Sequence, residues 1–196
     1  MATYFQRLRS GFKGNFLKPS NILTQIRLLG SPIPGILLLI FPNDFSHRIA
    51  IIIVFAVIAS TDIFDGVVAR ARGEVTKYGE LLDPIADMFF GLLTLAALSV
   101  SDEHAQIILI VLLSRQLHLC LMHKRIQDIG KSMSVVFSGK VKTVAVSVFT
   151  VLLLLPSGLI NDKLFDLLTV VVCAITLYSW LSYAGQFSRI IGEKID

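Results

Sequence analysis

Four aspartates, Asp62, Asp65, Asp83 and Asp87, stand inside two otherwise apolar stretches. The first two are three residues apart and the last two are four apart, so each pair shares one face if its stretch is helical. Four carboxylates at close quarters repel one another and take up protons unless cations neutralise them. Their hard oxygen atoms select Mg²⁺, Mn²⁺ or Ca²⁺, and two divalent ions balance four carboxylates in charge. The pattern therefore predicts a two-metal site suited to phosphoryl transfer.

Small and basic residues accompany these aspartates. Gly66 and Ala69 continue the face of the first pair, and Gly79 continues that of the second, so a ligand can approach the backbone closely. A basic turn that begins at Arg70 predicts an antiparallel hairpin with both acidic pairs at similar depth. Acidic residues in membrane helices also pair helices, relay protons or line ion paths. A divalent cation transporter is therefore the non-enzyme alternative, although the outer halves of these stretches are almost purely apolar.

The composition indicates that lipid is the main solvent of the chain. Of its 196 residues, 54% are hydrophobic and 16% are charged, against about 45–50% and about 25% in soluble domains. A helix of about 20 apolar residues crosses the hydrocarbon core. The sequence predicts an all-α integral membrane protein in one membrane domain, residues 1–196, with its six-helix bundle in 19–196. The six predicted transmembrane helices occupy 21–42, 47–71, 80–101, 104–126, 140–160 and 164–187.

Basic residues determine the predicted orientation. With six spans both termini lie on one side, which collects 14 lysines and arginines, whereas the other side has only Arg48 and Lys163. This bias places both termini and the aspartates at the cytoplasmic side. Aromatic and basic residues recur near helical spacing in residues 1–18, which predicts an amphipathic helix on the membrane surface. Basic charge in so apolar a chain favours this membrane interpretation over nucleic-acid binding.

The aspartate segment resembles the signature of the CDP-alcohol phosphotransferase family, D-x-x-D-G-x-x-A-R, eight residues, G, three residues, D, three residues, D. All eight fixed positions are filled at the expected spacing. The resemblance implies a nucleotide-activated lipid donor, two Mg²⁺ or Mn²⁺ ions and CMP as leaving group. It implies that Asp62, Asp65 and Asp83 ligate metal, while Asp87 ligates metal and acts as general base. It assigns to the CDP-lipid Gly66, Ala69, Arg70 and Gly79, together with Asn21 and Thr24 from a segment similar to the family's P-N-x-L-T-x-x-R. Capping of a helix start is the other explanation of Asn21 and Thr24.

A second set of basic residues resembles the acceptor side of family members that use glycerol 3-phosphate. Arg115 lies well inside the fourth predicted span, and Lys140 and Lys142 stand at the start of the fifth. Lysines two residues apart at a helix start can both face an anion, which the helix amino terminus also attracts. Together with Arg27 they are predicted to bind the phosphate of the acceptor. Ordinary positive-inside charge is the other explanation of the two lysines.

The resemblance thus implies phospholipid biosynthesis, in which CDP-diacylglycerol and glycerol 3-phosphate give phosphatidylglycerophosphate and CMP. Gln116 and His123 stand where such members carry Glu and Arg. Other acceptors therefore stay open, namely phosphatidylglycerol, which gives cardiolipin, an inositol phosphate or serine. The resemblance also implies a homodimer. The predicted location is the plasma or inner membrane with the site facing the cytoplasm, and an organellar inner membrane is the alternative.

Overall fold

In the computed structural model, the regular elements of the described residues are all α-helices, with no strand among them. The structure describes residues 25, 28–41, 45–72, 77–131, 134, 136–155 and 159–192, and it describes 45, 61–72 and 77–87 by their backbone only. The predicted all-α class is confirmed for this part of the chain.

Six helices follow one another in these ranges: α1 Pro32–Ile40, α2 Phe45–Arg72, α3 Lys77–Leu98, α4 Glu103–Asp128, α5 Phe137–Leu154 and α6 Asp162–Gly192. By length and composition, α4, α5 and α6 are able to cross a membrane. Even α5, the shortest of the three with 18 residues, extends for about 27 Å at about 1.5 Å per residue. Shorter apolar helical stretches occupy Leu28–Ile40, Ser46–Ser60 and Met88–Leu98. These helices characterise a membrane protein.

The ends of α4 follow from local side-chain and backbone chemistry. Asp102 is extended, and its Oδ1 accepts a 2.9 Å hydrogen bond from the Ala105 amide, so it caps the first turn. At the other end Gly130 has a φ of 75°, which glycine adopts without steric cost. The amides of Gly130 and Lys131 donate to the carbonyls of Gln127 and Ile126 at 2.9 and 3.1 Å. This is the Schellman arrangement that ends many helices.

Helix α5 begins earlier and ends earlier than the sequence predicts. Its first residue is Phe137 rather than residue 140, so Ser138 and Gly139 belong to its first turn. Its last residue is Leu154, and Leu155 has an extended ψ of 147°. Pro156 follows in the sequence, and the residue before a proline disfavours the helical conformation. The proline therefore explains the early end.

The chain divides into two compact units, of which the first, Met1–Ala97, contains α1, α2 and α3. Helix α1 packs on α2. Phe55 of α2 stacks on Phe90 of α3 with ring centroids 4.5 Å apart. A Cβ added to Gly35 of α1 would lie 3.0 Å from the backbone oxygen of Leu93 in α3. The close contact of α1 with α3 therefore needs glycine, and these contacts hold together the helices that carry the aspartates.

Helix α6 is central to the second unit, Leu98–Asp196, because it packs against both α4 and α5. Four of the buried side chains along α6 are polar: Thr169, Thr176, Ser179 and Tyr183. Thr169 and Thr176 each donate a 2.8 Å hydrogen bond to the carbonyl four residues earlier. Such bonds satisfy a hydroxyl inside an apolar bundle. Two of these polar residues, Ser179 and Tyr183, contact Arg115 of α4.

Candidate functional site

The backbone is helical at all the signature positions. Helix α2 runs through residues 62, 65, 66, 69 and 70, and α3 runs through residues 79, 83 and 87. The side chains at these positions lie outside the described part of the structure. Metal ligation by Asp62, Asp65, Asp83 and Asp87 and binding of the CDP-lipid by Gly66, Ala69, Arg70 and Gly79 therefore stay predictions. Asn21, Thr24 and Arg27 lie wholly outside the described residues.

The structure describes the surroundings of Arg115, which lies on α4 and is only 5% exposed. Its Nη2 donates a 3.0 Å hydrogen bond to Oγ of Ser179 on α6. Its guanidinium carbon lies 5.4 Å from the centre of the Tyr183 ring, one turn further along α6. An aromatic face attracts a cation at this distance. One hydroxyl and one ring therefore hold the guanidinium between α4 and α6.

These contacts leave the charge of Arg115 incompletely compensated. Its Nε is buried without a hydrogen-bond partner, and no carboxylate within the described ranges forms an ion pair with it. A buried cation is costly in a membrane unless an anion or several acceptors compensate it. The arrangement is therefore suited to an anionic ligand, which would supply the missing acceptors.

Tyr183 links Arg115 to the start of α5. Its hydroxyl accepts a 3.3 Å hydrogen bond from the Val136 amide, and a Cβ on Gly139 would lie 3.0 Å from that hydroxyl oxygen. Val136 is the N-cap of α5 and makes no side-chain capping bond. Ser138 is 9% exposed, and its Oγ is buried without a partner in the described part of the chain. A buried hydroxyl without a partner thus lies at a helix amino terminus, where anions are favoured.

Lys140 and Lys142 follow directly in the first turns of α5. Lys140 is exposed and Lys142 is half-buried. Tyr183 therefore joins Arg115 to the start of α5, in whose first turns Lys140 and Lys142 lie. Binding of an acceptor phosphate by these residues stays a prediction. The aspartates belong to the first unit.

Ser179 and Tyr183 contact Arg115, and Ser138 lies in the first turn of α5. The sequence prediction assigned none of the three to the site. A signal for two of them is present in the sequence. Thr169, Thr176, Ser179 and Tyr183 recur at intervals of seven, three and four residues in an otherwise apolar stretch. That spacing places polar groups on one helix face. Ser138 gave no such signal, because its burial depends on the packing of the α5 start against α6.

Replacement of Arg115 by methionine is expected to raise the KM for the anionic acceptor about 10- to 100-fold, the equivalent of one lost charged hydrogen bond. The thermal midpoint is expected to stay level or rise, because the change removes a buried, incompletely compensated charge. Steady-state kinetics and thermal unfolding measure the two effects. Ser179→Ala, which removes one hydrogen-bond partner and keeps the charge, should give a smaller rise in KM. A fall in the thermal midpoint with an unchanged KM would instead assign Arg115 to structure.

Comparison with known proteins identifies the family. The model of the CDP-alcohol phosphatidyltransferase family matches residues 18–179. A probable phosphatidylglycerophosphate synthase of Mycobacterium tuberculosis is 30% identical over 179 residues, covering 88% of this chain and 83% of that protein. The CDP-diacylglycerol--glycerol-3-phosphate 3-phosphatidyltransferases of Escherichia coli K12 and Shigella flexneri are each 30% identical over 168 residues, covering 83% of this chain and 90% of those proteins. The chain belongs to the CDP-alcohol phosphatidyltransferase family.

Membership in this family makes the chain a membrane transferase of phospholipid biosynthesis. It confirms the resemblance found in the aspartate signature, which lies wholly inside the matched residues. The chain is therefore a transferase, and not the divalent cation transporter that was the non-enzyme alternative.

Proposed function

We propose that this protein transfers the phosphatidyl group of CDP-diacylglycerol to glycerol 3-phosphate, giving phosphatidylglycerophosphate and CMP. The observation that carries the choice of acceptor is the buried, incompletely compensated guanidinium of Arg115 beside the start of α5. An acceptor with its own phosphate offers the anion that this region is suited to bind. The names of two relatives support this choice of acceptor. The relative in Mycobacterium tuberculosis is named a probable phosphatidylglycerophosphate synthase, and the name of the one in Escherichia coli includes glycerol 3-phosphate.

The acceptor phosphate would be held by Arg115, Lys140 and Lys142, with Arg27 as a further contact. Arg115 can form charge-assisted hydrogen bonds through its Nε and its remaining N–H groups. The amino terminus of α5 adds its uncapped amides. Binding the phosphate in this way leaves the hydroxyl at the other end of glycerol 3-phosphate free to react.

In the proposed reaction, that hydroxyl oxygen attacks the phosphorus that carries diacylglycerol. A new phosphorus–oxygen bond forms, the bond to the bridging oxygen of the diphosphate breaks, and CMP leaves with that oxygen. Asp87 takes the hydroxyl proton, because a neutral alcohol is a poor nucleophile. Arg70 stabilises charge on the diphosphate, and Gly66, Ala69, Gly79, Asn21 and Thr24 bind the CDP-lipid.

Two divalent ions, Mg²⁺ or Mn²⁺, fit the chemistry of the donor set, since four carboxylates supply hard oxygen ligands and four negative charges. Asp62, Asp65, Asp83 and Asp87 would hold them from the helical positions that α2 and α3 provide. When bound, the ions would neutralise charge that develops on the transferring phosphate.

The proposal includes the membrane arrangement that such a reaction needs. The six helices would span the plasma membrane and form one domain. Both termini and the site would lie at its cytoplasmic side. The 14-to-2 bias of basic residues supports this orientation. Residues 1–18 would lie on the membrane surface as an amphipathic helix, and two copies would form a homodimer, as the family resemblance implies.

Release of CMP from CDP-diacylglycerol with a panel of acceptors tests the proposed reaction. The purified protein is placed in vesicles with CDP-diacylglycerol, and one acceptor is added at a time: glycerol 3-phosphate, phosphatidylglycerol, an inositol phosphate or serine. We expect CMP release only when glycerol 3-phosphate is the acceptor. The lipid product should then be phosphatidylglycerophosphate. Release with phosphatidylglycerol alone would replace the reaction by cardiolipin synthesis, and no release with any of the four would refute the proposal.

Lys142→Ala is expected to raise the KM for glycerol 3-phosphate by about tenfold, as one charged hydrogen bond contributes roughly 1.5–3 kcal/mol. The KM for CDP-diacylglycerol should stay within about twofold. Lys163→Ala, which removes a lysine from the other end of the helices, is the matched control. An equal rise in KM for both substrates would count against phosphate binding by Lys142.

A further inference from the structure

A groove with an apolar wall and a basic end runs between α4 and α6, with a volume of about 500 Å³. From α4 it is lined by His118, Leu121, Met122 and Arg125, which recur at intervals of three, one and three residues and so share one helix face. Phe187 of α6 lines the other side. Met122 is buried beneath the groove, whereas Leu121 is 57% exposed. The groove thus offers apolar surface to lipid along one turn of α4.

His118 lines the groove and offers it a hydrogen-bond donor, which follows from its contact with Trp180. The indole Nε1 of Trp180 donates a 2.7 Å hydrogen bond to Nδ1 of His118. An indole N–H can only donate, so Nδ1 of His118 carries no proton, and the neutral ring carries its proton on Nε2. The exposed ring of His118 lines the groove. Its Nε2–H is therefore the donor that His118 can offer to a ligand.

Two cations line the part of the groove near the carboxyl end of α4. Lys124 and Arg125 line it near the carboxyl end of α4, are exposed and form no ion pair with another described residue. Asp128 lies one turn further along and also lines the groove, so the two cations outnumber the one carboxylate of the lining. Long helical side chains lean towards the amino-terminal end of their helix, which here is the direction of His118. The two cations and the N–H group of His118 can therefore contact neighbouring parts of one ligand.

We propose that this groove binds one anionic glycerophospholipid of the surrounding membrane. Its phosphate lies between Lys124 and Arg125, its acyl chain runs along Leu121 and Phe187, and an ester carbonyl accepts the Nε2–H of His118. A free phosphate would leave the apolar wall unused. A second copy of the chain docking through the same groove about a twofold axis would bring like charges together, which is unfavourable. Charge and apolar surface together thus favour a lipid as the occupant.

Fluorescence of Trp180 reports on this groove directly, because Trp180 bonds to His118 and is the only tryptophan of the chain. The full-length protein is placed in phosphatidylcholine vesicles that contain phosphatidylserine or phosphatidylcholine brominated near the start of the acyl chain. Phosphatidylserine is neither donor nor acceptor in the proposed reaction. We expect brominated phosphatidylserine to quench Trp180 more strongly at equal mole fraction. Each cation contributes about a fivefold preference, the equivalent of about 1 kcal/mol.

Arg125→Gln should reduce this preference about fivefold, and Lys124→Gln together with Arg125→Gln should abolish it. Arg189→Gln is the matched control, since Arg189 is the last-turn arginine of α6 just as Arg125 is that of α4, and it does not line the groove. Asp128→Asn should increase the preference, a gain that misfolding does not produce. His118→Phe keeps an aromatic ring but lowers the affinity for both lipids, because it removes the ester contact.

Three results would overturn the proposal. Equal quenching by both brominated lipids in the unmodified protein would show a groove that is filled by lipid without regard to charge. Weak quenching by both lipids would show that another protein surface, such as a second copy, covers the groove. A matching loss of preference in Arg189→Gln would assign the effect to the general positive charge of that membrane face.

Discussion

Replacement of Asp87 by asparagine is expected to abolish turnover, with a loss of at least about 10²–10⁴-fold from the missing general base. Asparagine has nearly the same shape but cannot take up the proton of the acceptor hydroxyl. Because Asp87 is also a proposed metal ligand, the change removes one of four negative charges, so the measured loss should lie at the upper end of that range. CMP release from CDP-diacylglycerol in the presence of glycerol 3-phosphate measures the effect.

A matched control separates chemistry from folding in this experiment. Asp166→Asn makes the same change at an exposed position of α6, and it should leave turnover within about twofold, as expected of a surface substitution. Thermal unfolding of the Asp87 variant should show no large loss of stability, since removal of one carboxylate reduces repulsion within the cluster. Turnover above one tenth of the unmodified rate would remove Asp87 from the role of base.

Removal of divalent metal is expected to stop the reaction completely and reversibly. Without cations four neighbouring carboxylates repel one another and the charge on the transferring phosphate is not stabilised. Treatment with EDTA should reduce CMP release to background, and added Mg²⁺ or Mn²⁺ should restore it. Electron paramagnetic resonance of added Mn²⁺ should show two bound ions in each chain.

Variants of the aspartates connect this metal requirement to the proposed ligands. Asp62→Asn and Asp83→Asn should each raise the Mn²⁺ concentration needed for half-maximal rate and lower the number of bound ions. Asp166→Asn should change neither quantity. Continued CMP release in excess EDTA would contradict metal catalysis, and an unchanged Mn²⁺ requirement in both variants would place the ions elsewhere in the chain.

The family and the helical placement of the aspartates could be predicted from sequence because both depend on local spacing. Asp62 and Asp65 lie within α2, and Asp83 and Asp87 lie within α3, as the helical prediction requires. Intervals of three and four residues relate positions on a single helix, where geometry is fixed by 3.6 residues per turn. The signature fixes the spacing of eight residues over 26 positions. A match of that length is specific to one family.

Tertiary structure decided how Arg115 is held and where the lipid groove lies. Arg115 and Ser179 are 64 residues apart in sequence but form a 3.0 Å hydrogen bond, and no local pattern encodes a contact over that distance. The buried hydroxyl of Ser138 likewise depends on the packing of α5 against α6 through Tyr183.

The sequence by itself thus determined the helices, the membrane setting and the aspartate signature, because hydrophobic length and helical period are local properties. Only the tertiary structure decided which helix faces meet, because side-chain packing between distant segments selects the contacts. It placed Arg115 between Ser179 and Tyr183, and it joined His118 to Trp180 at the groove. Those contacts turn separate basic and aromatic residues into two regions suited to bind phosphate-bearing ligands.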